Sequence, residues 1–165
     1  MANNLLMHIA EAPGECTQKG YVKWIQLESF SDGLTNTRAG DRSHSGAGSQ
    51  GKVHLQDVNV TMNLGLHSAI LQKHVANGKH LKEVKIVSLA TVNDGQHEYY
   101  KITMTDVMVT SYQIHQGGHE GAMGVENVTF NYGKKTIDYT QLKNTDGSKV
   151  GNNTMSVDAK THDVS

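Results

Sequence analysis

Apolar residues in this chain mostly recur at every second position, in short runs, as expected of strands. Residues 4–9, NLLMHI, read as a first strand. Residues 21–31, YVKWIQLESFS, place Tyr21, Ile25 and Leu27 on one side and Val22, Trp24 and Phe30 on the other. Apolar residues on both sides predict a strand covered on both faces. Residues 84–90, VKIVSLA, form another strand. Residues 125–132 alternate Val128, Phe130 and Tyr132, and residues 135–142 alternate Ile137 and Tyr139. Between these two, Gly133-Lys134 is short enough to predict a tight hairpin.

Two runs slip phase. In 53–62, VHLQDVNVTM, Val53 and Leu55 alternate; after Asp57 the apolar set moves to Val58, Val60 and Met62. In 102–109, ITMTDVMV, Ile102 and Met104 alternate; after Asp106 the set moves to Val107 and Val109. A strand's side chains repeat every two residues, so a slip sends the apolar set to the other face. Three arrangements accommodate it: a bulge or bend, a strand that passes from one sheet to another, or partial burial of both faces.

One segment has helical spacing. Ile70, Leu71, His74 and Val75 in residues 69–76 share a helix face, with Ser68 at the expected N-cap and Asn77-Gly78 as the stop. Seven or more strands with one helix predict a mainly β fold: a closed β-barrel or sandwich with one short flanking α-helix. Residues 32–51 are a long polar stretch, read as an extended loop without structure of its own; such loops are usually functional. Residues 143–165 are polar too, with little periodicity beyond Val150, Met155 and Val157.

Composition narrows the functional classes. The 165 residues carry 15 Lys plus Arg against 16 Asp plus Glu, a net charge of −1, which removes the electrostatic basis for nucleic-acid binding. No apolar run approaches the roughly 18–20 residues of a membrane span, so no membrane insertion is expected. The first residues lack a basic region followed by an apolar one, so no signal peptide is expected. Cys16 is the one cysteine, which leaves no intrachain disulfide. Hydrophobic residues make up 36% and aromatics 5%, a lean core that points to stability drawn from neighbouring subunits.

Residues 46–53, GAGSQGKV, come near the phosphate-binding pattern G-x-x-x-x-G-K-[ST]. Val53 stands where a hydroxyl would ligate Mg²⁺, and a strand follows where a helix N-terminus should hold the anion. Nucleotide binding is therefore not expected. Among ten histidines, His115 and His119 lie four apart, but in a loop-like segment, and no HExxH occurs; no metal or other cofactor is expected. No G-x-S-x-G elbow marks a nucleophile. Asp57, Asp106 and Glu126 lie in strands, where a carboxylate is more often a strand-face residue than a catalyst. With no signal peptide, the N-x-T sequons at Asn59, Asn127 and Asn152 read as chance matches. The chain is read as a non-enzyme.

Taken in order, several segments resemble the haemolysin-coregulated protein family, the tube protein of type VI secretion. They are Gly14-Glu15; Trp24 to Gly33 (WIQLESFSDG); Gly46-Ala47-Gly48 with Gly51-Lys52-Val53; Ser68 to His80; Tyr100 to Ser111; and Glu126 to Tyr132 with Tyr139. The resemblance covers about residues 1–148, read as a single tube-protein domain. Residues 149–165 are then a polar C-terminal tail, partly disordered or forming an edge strand. The resemblance implies a β-barrel that assembles as a homohexameric ring. Rings stack into a tube that carries secreted effectors in its lumen, with the tip, spike and sheath proteins as further partners. The protein is then cytoplasmic, and leaves the cell without a signal peptide. Ser31 matches a lumen-facing position, with Asp32 beside it where the family often has an aromatic. Arg38, Asp41, Arg42, Gly46 and Gly48 fall in a loop that the family uses between subunits or rings. Two alternatives are a phage-like tail tube protein and a small-ligand-binding β-barrel.

Overall fold

The computed structural model describes residues 4–37 and 52–165. Nine strands and one helix follow in the order β1 (Leu5–His8), β2 (Ile25–Ser31), β3 (Leu34–Thr37), β4 (Lys52–Leu55), β5 (Val58–Asn63), α1 (Ser68–Asn77), β6 (Leu81–Val92), β7 (Gly95–His115), β8 (Val125–Leu142) and β9 (Lys149–Asp158). The strands β5-β2-β1-β6-β7-β8 are neighbours in that order, and a β5–β8 pairing closes them into a six-stranded antiparallel barrel. One edge of β8 serves two partners. Val125 to Phe130 pair with β5, and Lys134 to Leu142 pair with β9. β3 and β4 form a separate two-stranded arm.

The two phase slips resolve differently. The chain through Asp57 passes from one sheet to another: β4 belongs to the arm and β5 to the barrel. The slip at Asp106 occurs inside one continuous strand. On β7 the buried residues change from Ile102 and Met104 to Val107 and Val109. On β8 they change from Val128, Phe130 and Tyr132 to Lys135. Asp106 has φ 52°, and the register on either side, Thr105↔Lys134 and Val107↔Tyr132, sets it opposite Gly133. Asp is among the few non-glycine residues that visit this left-handed region at modest cost. Both strands thus turn over together, and the apolar set stays inward. The hairpin expected at Gly133-Lys134 is therefore corrected: β8 runs straight through. A change of apolar parity at a glycine marks a shared twist here, not a reversal.

β2 also contains an irregularity, between Leu27 and Ser29. It brings Phe30 to the same core as Ile25 and Leu27, while Gln26 and Glu28 face out. The expectation of two covered faces fails for β2, and it fits β6 instead. There Val84 and Ile86 enter the barrel core, while Val87 and Leu89 join a second cluster with Leu6 and Cys16. Residues 10–24 cover that outer face with Tyr21 and Trp24, whose rings meet edge to face at 5.0 Å. Backbone bonds hold the cover: Gly14 N–H to Lys23 O at 2.8 Å, and Lys23 N–H to Cys16 O at 2.8 Å.

The helix begins one residue earlier than its pattern suggested. His67 is the N-cap and makes no side-chain cap bond, so the role given to Ser68 is corrected. Ser68 Oγ instead accepts from Gly65 N–H at 3.0 Å. At the other end Gly78 is left-handed, with φ 66°, and its N–H reaches His74 O at 3.0 Å. Leu71 is fully buried, and Ile70 and Val75 pack on the barrel core.

A Cβ built on Gly133 lies 3.0 Å from both the Cβ and Oδ2 of Asp106. Gly133→Val should lower stability by about 2–3 kcal/mol through overpacking. Urea unfolding measures this, and an unchanged midpoint would show that the twist does not need a bare backbone at Gly133.

Candidate functional site

The arm leaves the barrel at Ser31 and Asp32. Ser31 is the last residue of β2 and is exposed. Asp32 turns the other way. Both its carboxylate oxygens lie 2.8 Å from Lys135 Nζ, and Oδ1 also accepts from Gly33 N–H at 2.8 Å. Lys135 is fully buried and the Asp32 side chain is 9% exposed. The ammonium also sits 5.1 Å from the centre of the Tyr132 ring, a cation–π contact. Tyr100 stacks on Phe30 nearby at 6.3 Å. Burial pushes its hydroxyl pKa up, and the charge of Asp32 adds to the rise. Asp32 is thus tied into a buried ion pair rather than facing solvent beside Ser31.

This pair sets where the arm starts. Asp32 and Gly33 lead directly into β3, which pairs with β4 in the register Leu34↔Leu55 to Thr37↔Lys52. Residues 34–37, first read as part of a long loop, are therefore strand. Arg38, Asp41, Arg42, Gly46 and Gly48 lie outside the described residues, as does most of the glycine-rich near-match to a phosphate loop.

Beside the arm lies a cleft of about 470 Å³, lined by β4, β7, β8 and the segment after β9. Asp106 lies in it, bonded to Lys160 Nζ and His80 Nδ1, both at 2.7 Å. The bond to Lys160, and then that to His80, hold the Asp106 pKa down at about 2. Asp57 accepts from Asn131 Nδ2 at 2.8 Å. Both acids are engaged by neighbours, and Asp57, expected in a strand, lies instead in the link between β4 and β5. Among the described residues, no group of three or more His, Cys, Asp or Glu is placed to hold a metal ion.

Two stretches of strand edge have no strand partner among the described residues. β7 runs on past Val107, where its pairing with β6 stops. β9 pairs only with β8, and its last residues are capped by the chain's own end, with Ser156 N–H to Ser165 O at 2.7 Å. Exposed apolar residues sit on both stretches: Ile114 on β7 and Val150 on β9, 51% and 59% exposed. The β7 edge was not evident from sequence, because β7 extends beyond its apolar periodicity, whereas an edge strand was one of two readings of residues 149–165.

Removing one partner of a buried ion pair strands the other charge. Asp32→Ala should therefore cost about 3–5 kcal/mol, and Asp32→Leu combined with Lys135→Met should recover most of it. Denaturant unfolding of the single and double variants checks this. Equal losses in both would show that the packing of these side chains matters and their charges do not.

The comparisons with known proteins agree with one another. Residues 6–139 match the family described as type VI secretion system effector, Hcp. The chain is 30% identical over 151 residues to protein hcp1 of Pseudomonas aeruginosa, covering 92% of this chain and 91% of that one. Its fold matches the structure of a type six secretion system protein with a TM-score of 0.86 at 22% identity, over 99% of this chain and all of the other. It also matches Hcp1 from Salmonella typhimurium with a TM-score of 0.76 at 21% identity, over the whole of both chains. With a closed barrel, one flanking helix and a family match over most of its length, the chain belongs to the Hcp family of type VI secretion proteins.

Proposed function

We propose that this chain is the structural subunit of a type VI secretion tube. Six copies close a ring, rings stack, and effectors travel in the lumen. Family membership makes the role available. The observation that carries it is a pair of strand edges without a strand partner among the described residues, β9 and the far end of β7, the latter lying against α1, each with an exposed apolar residue. An open strand edge recruits another chain unless it is covered. Two different edges on one subunit allow a head-to-tail contact, and such a contact closes into a ring when the rotation per subunit fits.

In this reading Ser31 faces the lumen, while the Asp32 charge is consumed by Lys135 and contributes little to the channel wall. Arg38, Asp41, Arg42, Gly46 and Gly48 contact neighbouring subunits or rings. The Asp32–Lys135 pair fixes the start of β3. The subunit works through shape and contact, without catalysis, and leaves the cell through the machine it builds. Tip, spike and sheath proteins are its further partners.

Six times 18.0 kDa gives about 108 kDa for the ring. Light scattering on the eluting protein should give that mass, and electron microscopy should show six-fold rings. A stable monomer at micromolar concentration would sink the reading.

The edges and the lumen can be tested separately. Val150→Lys, on an exposed edge, should leave the barrel folded by circular dichroism while weakening the ring at least tenfold, since a buried unpaired charge costs more than the ~1.4 kcal/mol that a tenfold change represents. Ser31→Gln should leave rings intact and reduce effector retention. Unchanged retention would remove Ser31 from the lumen.

A further inference from the structure

His67 joins three parts of the fold, and one of its ring nitrogens has no partner. It precedes α1 and is 4% exposed. Its Nε2 meets Oε1 of Glu126, which is fully buried on β8. The other oxygen of Glu126 accepts from the Tyr112 hydroxyl on β7. Burial and this bond push the Tyr112 pKa up to about 12. A buried carboxylate needs donors, so Nε2 carries the proton and Nδ1 presents a lone pair. That Nδ1 is buried and has no hydrogen-bond partner.

What Nδ1 faces is specific. A Cβ built on Gly65 lies 3.1 Å from His67 Nδ1 and 3.0 Å from Glu15 Oε2. The Glu15 carboxylate and the free nitrogen therefore border the same vacant side-chain space at Gly65. Glu15 is itself exposed. A cavity of about 160 Å³ adjoins them, lined also by Cys16, Gln26, Asn63 and Met123. The titratable groups around His67 are Glu126 from β8, Tyr112 from β7, and Glu15 and Cys16 from the covering segment. Glu28 on β2 lies behind Asn63, accepting from its Nδ2 at 3.1 Å. Among the described residues, no lysine or arginine lines this cavity.

We propose that His67 is a proton-operated latch between the covering segment, residues 10–24, and the barrel. When Nδ1 takes a proton, the imidazolium donates from Nε2 to Glu126 and from Nδ1 to Glu15. Glu15 then ties the middle of the segment to the residues just before α1. As pH rises the proton leaves, Nδ1 returns to a lone pair, and Glu15 goes back to water. The latch belongs to the single subunit and does not depend on ring formation.

Hydrogen exchange read by mass spectrometry tests this on the whole protein. The reporters are the amides of Gly14, Cys16 and Lys23, which bond within the segment. After correction for the intrinsic pH dependence, their exchange should be about tenfold slower at pH 5 than at pH 8, in keeping with a hydrogen bond to a charged group. Glu15→Ala removes the acceptor, and Gly65→Ala places a methyl between the two groups. Both variants should fold normally and lose the difference. His8 also packs on the covering segment, with its ring 5.0 Å from that of Trp24, so only a difference that depends on Glu15 supports the latch. No pH-dependent protection in the original chain, or the same protection in Glu15→Ala, would overturn it.

Discussion

A closed sheet must keep one set of side chains inward while its strands coil around the axis, and most of this structure follows from how that is done at Asp106 and Gly133. Long strands cannot alternate strictly and still wrap a small barrel; their twist must be concentrated somewhere. β7 and β8 turn over at one register pair, with a left-handed Asp opposite a residue without a side chain, and a further irregularity follows between Val109 and Ser111. Because both strands turn over at the same level, their pairing continues on both sides. β8 can then be long enough to close the barrel against β5 with its first part and carry β9 with its second. The position of β9, and with it one open edge of the molecule, depends on that twist.

The same turnover explains a lysine in the core. After Gly133 the inward parity changes, and Lys135 occupies the first inward position. A buried ammonium is tolerable only with a close opposite charge and further polar or aromatic contact. Asp32 supplies the charge and Tyr132 the ring face. The partner sits where the arm begins, so the pair also fixes the start of β3. Glu126 follows the same logic near the residues that lead into α1, with His67 and Tyr112 as its two partners. In both cases a buried charge on β8 anchors a segment that leaves the barrel.

Local features of this fold were legible in the sequence. The slips at Asp57 and Asp106 are visible in the alternation, and the end of α1 is written in Asn77-Gly78. What could not be read was what each slip meant. A glycine where apolar parity changes marks a hairpin or a twist equally well, and only pairing with β7 decides for the twist. The buried charges were illegible for another reason: Lys135 finds Asp32 across 103 positions, and Glu126 finds His67 across 59. At that separation neither local spacing nor composition shows a pair. Asp32 accordingly read as a channel-wall acid beside Ser31, which the resemblance sets at a lumen-facing position, because the lysine that claims it lies far along the chain.

The distribution of strength across the molecule fits assembly through edges. The barrel interior is closed and mostly apolar, with Val58, Val60, Ile86, Ile102, Val128 and Phe130 almost wholly removed from water. A subunit of this kind needs no neighbour to hold its own core. The segments that reach outward, β3–β4, the far end of β7, and β9, have few buried apolar side chains of their own. Elements with little buried surface open more readily than a core does, and contact with another chain is what would hold them. The buried Asp32–Lys135 pair gives the β3–β4 arm a defined root on β8. A ring built this way would gain its order at the joints, and the barrel would pass from free subunit to assembled tube without rearrangement.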